Sequence, residues 1–133
     1  MAYLKVYAWE HEKWPEFQTV HIDRTRQSAL LRKLARHFKV DEPRIEQSHR
    51  RGANATHNKS GAAGSYHKAR WLGWCVIKIG SVTTLGTLCH EFAHHLDWRR
   101  HNGDGHRRTF KRELKRTYTW AKRYLENPEK EIQ

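Results

Sequence analysis

The stretch that most constrains this chain is His90-Glu91-Phe92-Ala93-His94, an H-E-x-x-H pattern. On an α-helix the two histidines lie one turn apart on the same side, so both rings can reach a single metal ion. The glutamate is one position further round, where it can accept a proton from a metal-bound water. The pattern therefore predicts a zinc hydrolase helix, and the alternative is a plain surface helix in a chain with 11 histidines.

The surrounding residues favour the metal-binding helix. Apolar side chains recur there at helical spacing, at Leu85, Leu88, Cys89, Phe92, Ala93 and Leu96. This stripe predicts one buried helical face, with both histidines off its centre. Ser81 or Thr83 can cap the start of the helix, and Asn102-Gly103 can end it near Arg100.

A catalytic zinc site needs a third protein ligand and an open position. Four downstream residues can supply that ligand: Asp97, His101, Asp104 and His106. We favour His106, because a turn containing Gly103 and Gly105 can bring the chain back to the histidines at the start of the next helix. His101 is the second choice. Asp97 is interpreted as a carboxylate that orients a ligand or lies on the helix surface.

At 133 residues the chain, 1–133, is expected to form one domain. Residues 50–65 are small, polar and rich in Gly, and predict a mobile loop; residues 127–133 predict a frayed tail. The other elements expected are a strand or arm at 3–9, a strand at 17–22, a helix from a cap at Asp23 or Thr25 to Lys39, strands at 44–47 and 66–79, and a last helix at 106–126.

The net charge of +12 and the pI near 10.1 indicate an anionic partner. We favour nucleic acid over an acidic protein or anionic lipid, while solubility alone is the alternative. The last helix places cations on one arc, and the residues expected to contact phosphate are Arg108, Lys111, Arg112, Lys115 and Arg116. An ordinary solvated face is the competing interpretation of that arc.

The two cysteines, Cys75 and Cys89, do not form a C-x-x-C pair, so no zinc ribbon is expected. Cys89 lies in the apolar stripe and is interpreted as a small buried residue. The chain begins without a signal-peptide pattern and has no apolar run of membrane-spanning length. We therefore expect a cytoplasmic monomer with no membrane partner, located in the nucleoid or nucleus if nucleic acid is bound.

Two motifs carry a family resemblance. Residues 90–97, followed by Asp104-Gly105-His106-Arg107-Arg108-Thr109-Phe110, resemble the SprT/Spartan-like metallopeptidases. That family has a third zinc-binding histidine in a Gly-His-x-x-x-aromatic segment, which Gly105-His106 with Phe110 matches. The resemblance implies an α+β, zincin-like fold with a small antiparallel sheet, and a zinc peptidase directed at proteins on DNA. Without a zinc ribbon, the chain resembles a minimal catalytic core.

These observations predict a zinc-dependent endopeptidase in which His90, His94 and His106 bind Zn²⁺ and Glu91 is the catalytic base. The strand ending near Ile79 is expected to pair with an extended substrate. Tyr66, Arg70 and Tyr118 are open candidates for stabilising the oxyanion. The competing hypotheses are a basic nucleic-acid-binding protein with a structural or vestigial zinc site, and a zinc amidase acting on a non-protein substrate.

Overall fold

The computed structural model describes residues 2–48, 64–68 and 74–127. These residues form four helices and two small sheets, which confirms the predicted α+β class. The helices are α1 (Ala2–Lys13), α2 (Arg24–Phe38), α3 (Leu85–His101) and α4 (Arg108–Glu126), with a 3-10 turn at Pro15–Gln18. The strands are β1 (His21–Asp23), β2 (Arg44–Gln47), β3 (Gly64–His67), β4 (Val76–Ile79) and β5 (Val82–Thr84).

The larger sheet has the order β2-β4-β3, and β1 pairs antiparallel with β5 in a separate two-stranded sheet. The sequence predicted a small antiparallel sheet; β1–β5 and β3–β4 pair antiparallel, but β2 pairs parallel with β4, so the larger sheet is mixed. The three apolar residues of β4, Val76, Ile77 and Ile79, are buried, as suits a central strand. Both edges of β4 are thus occupied, so the strand that ends at Ile79 is not available to pair with a substrate.

The N-terminal segment differs most from its prediction. Residues 3–9, expected as a strand or arm, belong to helix α1. Val6 and Glu10 are buried one turn apart on this helix, and Tyr7 is half-buried beside them. A charged residue in the buried face conceals the helical period, because the apolar stripe is interrupted there. Similarly, the strand expected at 17–22 is a 3-10 turn followed by the short strand β1.

Helix α2 forms as predicted. The Asp23 carboxylate caps it by accepting a hydrogen bond from the Arg26 N–H at 3.0 Å. The chain then leaves the helix through Lys39 in the left-handed conformation, with φ of 59°. The predicted apolar positions are all buried: Leu30, Leu31, Leu34, Ala35 and Phe38.

Helix α3 runs through the middle of the molecule and packs against α4, β3 and the 3-10 turn. Its cap is Thr84, whose hydroxyl accepts a hydrogen bond from the Thr87 N–H at 3.1 Å. The predicted caps, Ser81 and Thr83, do not have this role. The cap is displaced because β5 continues directly into the helix. Asn102 ends α3 in the left-handed conformation, as predicted.

The predicted mobile loop lies almost wholly outside the described residues, since positions 49–63 are not among them. Gly64 and Ser65, placed in that loop by the sequence, instead belong to β3. Residues 128–133 of the expected tail are also outside, while the Asn127 N–H still bonds to the Arg123 carbonyl at 2.8 Å.

Cys75 and Cys89 are both buried and free, as expected for Cys89 from its place in the apolar stripe. Across 2–48, 64–68 and 74–127, no helix combines the length and apolarity needed to cross a membrane.

Candidate metal centre

The structure brings together the three histidines that the sequence selected. His90 and His94 lie one turn apart on α3, and His106 approaches from the segment between α3 and α4. One ring nitrogen from each lies within 4.8 Å of the others, and the Nε2 atoms of His90 and His106 are 3.1 Å apart. His90 is buried, whereas His94 and His106 are half-buried. Three converging ring nitrogens, two of them on half-buried histidines, form a candidate metal site.

The turn after α3 positions His106. Asn102 reverses the chain, and Gly105 has a φ of +73°, a conformation that glycine adopts without steric cost. The sequence predicted that His106 opens the last helix. Helix α4 instead begins at Arg108, so His106 precedes it. The prediction that a turn rich in glycine returns the chain to the H-E-x-x-H helix is confirmed.

Phe110, on the first turn of α4, packs against all three imidazoles. Its ring centroid lies 4.2 Å from that of His94, in a stacked arrangement, and 4.9 Å and 5.0 Å from those of His106 and His90. Phe110 is itself fully buried. One rigid aromatic ring thus fixes the relative positions of the candidate ligands, because none of them can rotate towards it without a clash.

A buried carboxylate supports His90 from α1, and the sequence did not identify it. The Nδ1–H of His90 donates to Glu10 Oε2 at 2.7 Å, and the Tyr118 hydroxyl donates to Glu10 Oε1, also at 2.7 Å. This bond leaves Nε2 of His90 to face the other two histidines. The Tyr7 ring stacks on the His90 ring, with centroids 4.7 Å apart. The one sequence feature that points to this role is the position of Glu10, an acidic residue one helical turn after the apolar Val6.

Charge and burial set the protonation of the three rings. Burial, then the neighbouring His90 and His106, hold the pKa of His94 well below its usual value. Burial and the proximity of His90 lower the pKa of His106 to about 4. Burial also acts against a charged His90, but the Glu10 carboxylate outweighs it and raises the pKa of His90. His94 and His106 are therefore neutral at pH 7, the form that binds metal ions.

Glu91 lies beside the cluster without joining it. Its side chain is buried against β3, where a Cβ added at Gly64 would lie 3.2 Å from Glu91 Cγ. The group of residues close enough to share a metal consists of the three histidines alone within the described residues. Glu91 is therefore not one of the candidate ligands.

The other candidate ligands lie outside the three-histidine cluster. His101 Nε2 lies 4.0 Å from Glu113, and Asp104 forms an ion pair with Lys68 at 3.1 Å. Asp97 is buried rather than on the helix surface, and neither of its oxygens has a hydrogen-bond partner in the described part of the chain. None of these three residues belongs to the cluster.

The two tyrosines considered for oxyanion stabilisation have other partners. The Tyr66 hydroxyl lies 2.8 Å from His95 Nδ1, and the other ring nitrogen of His95 donates to the Asp41 carbonyl at 2.7 Å. Tyr118 is buried with its hydroxyl on Glu10. Arg70, the third candidate, lies outside the described residues. No oxyanion donor is therefore assigned from this set.

The fold and the site define an α+β protein with a three-histidine candidate metal centre. Three imidazoles suit zinc, and also copper, iron or nickel, so the geometry restricts the metal without selecting one. No protein-family model, curated protein or solved structure matches the chain.

Proposed function

We propose that this chain is a zinc-dependent endopeptidase of the SprT/Spartan-like kind. The observation that carries the proposal is the convergence of His90, His94 and His106 next to Glu91, a buried carboxylate on the same helix. Three imidazole ligands with one side open are typical of a catalytic zinc rather than a structural one, which is normally closed by four protein ligands.

The residues would divide the work as follows. Bound zinc would supply a Lewis acid that makes water nucleophilic near neutral pH and polarises a carbonyl. Glu91 takes a proton from the attacking water on its carboxylate and gives it to the leaving amine. Glu10 keeps the Nδ1 proton of His90 in place, and Phe110 holds the rings, so that the ligands stay oriented through the reaction.

The position of strand β3 supports the proposal that the substrate is a polypeptide. It is an edge strand among the described residues, since its one partner is β4. Gly64 of β3 adjoins Glu91, and the Tyr66 ring lies parallel to the His94 ring with centroids 6.4 Å apart. An extended chain that added to this edge would run past the base and a metal ligand. Because such pairing uses backbone hydrogen bonds, it would accept substrates of many sequences.

We further propose that the substrates are proteins bound to nucleic acid. The net charge of +12 and the exposed cations of α4 support an anionic partner. The H-E-x-x-H and Gly-His-x-x-x-aromatic motifs support the same assignment through the family that they resemble.

The first test is zinc content after reconstitution and removal of loosely held metal. We expect about one zinc per chain in the wild type and in Glu91→Gln, and loss of zinc in His106→Ala. His101→Ala is the matched control, because it removes a nearby histidine outside the cluster and should retain the metal. A wild type without zinc would overturn the proposal, and full retention in His106→Ala would refute the ligand assignment.

The second test is cleavage of a mixture of unfolded polypeptides, with and without single-stranded DNA, followed by mass spectrometry of new termini. Glu91→Gln should lower the rate by about 10²-fold or more at unchanged zinc content, since it removes the base. Equal cleavage by Glu91→Gln and wild type would exclude Glu91 as the base.

A further inference from the structure

A cationic groove lies between α4 and the end of α2, lined by residues outside the three-histidine cluster. Its volume is about 470 Å³. The lining residues are His37, Phe38, Arg112, Lys115, Arg116, Thr119, Trp120 and Arg123. Four of these eight residues are arginine or lysine and none is acidic, so the groove has a strongly positive potential.

Most of these cations are not neutralised by the protein. Arg112, Lys115 and Arg123 have no carboxylate partner within residues 2–48, 64–68 and 74–127, while Arg116 bonds to Glu113. By contrast, Arg99 and Arg100 on α3 are paired with Asp41 and Glu113. Unpaired cations held together on one helix face repel one another, and an anion placed among them relieves that repulsion.

The groove also contains aromatic surface. The exposed ring of His37 lies over the mostly buried Trp120, with centroids 5.5 Å apart and planes tilted by 35°. Phe38 meets the His37 ring edge-on at 4.7 Å. Burial, together with the charges of Arg123 and Arg100, lowers the pKa of His37, so the ring is predominantly neutral at pH 7. A neutral exposed ring backed by two others provides a surface for a planar, apolar group.

We propose that this groove binds single-stranded nucleic acid, with phosphates on Arg112, Lys115, Arg116 and Arg123 and a base stacked on His37. Cations that follow the backbone combined with an aromatic platform are the usual means of holding a single strand. A duplex offers the same phosphates, but its bases are already stacked and present no free face. The groove and the metal centre are separate, so this proposal does not rest on the proposed peptidase activity.

The structure also divides the basic arc that the sequence selected. Arg112, Lys115 and Arg116 line the groove, together with Arg123 of the same helix. Lys111 does not line it and lies nearer the metal centre: its Nζ is 6.0 Å from the Trp9 ring, and its charge helps to lower the pKa of His106. Arg108 is not a lining residue either. One helix thus carries a nucleic-acid groove on one side and approaches the metal centre on the other.

The first experiment measures charge. Fluorescence anisotropy with a labelled oligothymidine gives the affinity at several salt concentrations for the full chain. The variant Arg112→Gln/Lys115→Gln/Arg123→Gln should bind at least about tenfold more weakly and show a salt slope smaller by about 2, since each phosphate contact contributes about 0.7. The control Lys5→Gln/Lys13→Gln/Arg32→Gln removes the same charge outside the groove and should stay close to the wild type. Equal losses in the two variants would overturn the proposal in favour of diffuse attraction.

The second experiment measures stacking. His37→Ala should weaken oligothymidine binding about fivefold or more, leave the salt slope unchanged and have little effect on duplex binding. A duplex bound as tightly as the single strand, with no effect of His37→Ala on either, would overturn the base site. Repeating the binding measurement with Glu91→Gln and with metal-free protein separates the two proposals. Oligothymidine binding should persist in both. Failure of the cleavage test alone would therefore not contradict the groove proposal.

Discussion

Glu10 and His90 are 80 positions apart in the chain, yet the Glu10 carboxylate lies 2.7 Å from His90 Nδ1 with both side chains buried. The bond joins α1 to the H-E-x-x-H helix at a candidate metal ligand. A carboxylate on the far nitrogen fixes the tautomer of an imidazole and makes its other nitrogen a better donor. The N-terminal helix is thus a part of the site and more than a cover for the core.

The first prediction concerns this carboxylate. Glu10→Ala should weaken zinc affinity by about 10- to 100-fold, because His90 loses the group that orients it. Glu10→Gln should weaken zinc affinity less, since the amide oxygen can still accept the Nδ1–H although the negative charge is gone. Competition with a chromogenic chelator at pH 7 measures both.

Glu12→Gln is the control for this series. Glu12 is on the same helix and exposed, so its substitution should leave zinc affinity at the wild-type value. Zinc binding by Glu10→Ala equal to that of the wild type would show that Phe110 and Tyr7 orient His90 without the carboxylate.

The second prediction concerns the turn that carries His106. A Cβ added at Gly103 would overlap the buried Asp97 carboxylate. Gly103→Ala should therefore lower the free energy of unfolding by about 1–3 kcal/mol, through overpacking. The cost should shrink in an Asp97→Ala background, where the obstructing group is absent. Urea denaturation of the four proteins of this cycle measures the coupling.

Gly105→Ala is the comparison for this turn. A Cβ at Gly105 would meet nothing within 4 Å, but the φ of +73° should still cost about 1–2 kcal/mol. That cost should be the same with and without Asp97→Ala. Coupling as strong at Gly105 as at Gly103 would mean that Asp97 supports the whole turn and does not merely occupy the space beside Gly103.

The third prediction concerns His37. Its pKa is lowered by burial and by Arg123 and Arg100, so Arg123→Gln should raise it towards 6.5. Because the folded value lies below the unfolded one, His37 contributes stability above pH 6.5 that is lost as pH falls through the folded pKa. NMR titration of the imidazole protons measures the shift. Lys122→Gln removes a cation of α4 that is not among the charges acting on His37, and an equal shift in that variant would contradict the assignment.

Helix α2, helix α3 and the three histidines were predictable from the sequence because they depend on local spacing. A period of three to four residues defines a buried helix face, and the glycines between Asn102 and His106 allow the turn that brings the third ligand back. No long-range information was needed for these features.

The features that the sequence did not reveal depend on contacts between distant segments. Glu10 interrupts the apolar face of α1, and its partners His90 and Tyr118 belong to other helices. The parallel pairing of β2 with β4 joins segments that are distant in the chain, and strand propensity does not encode such a pairing. The groove requires the end of α2 to meet α4, so the sequence showed its cations but not the His37–Trp120 surface.

The last prediction compares Tyr66, which contacts His95, with Tyr118, which contacts Glu10. Tyr66→Phe leaves the buried His95 Nδ1 without its partner and should cost about 1–3 kcal/mol of stability, with zinc affinity unchanged. Tyr118→Phe removes the hydrogen bond on Glu10 Oε1, and through Glu10 it should lower zinc affinity as well as stability. Tyr124→Phe is the control: its hydroxyl accepts only a long bond of 3.3 Å from Arg26 among the hydrogen bonds described, so both quantities should change little. Chelator competition and urea denaturation give the two values for each variant. If Tyr66→Phe instead lowered the cleavage rate without loss of stability, Tyr66 would be a donor to the substrate, and its bond to His95 would have to break on binding.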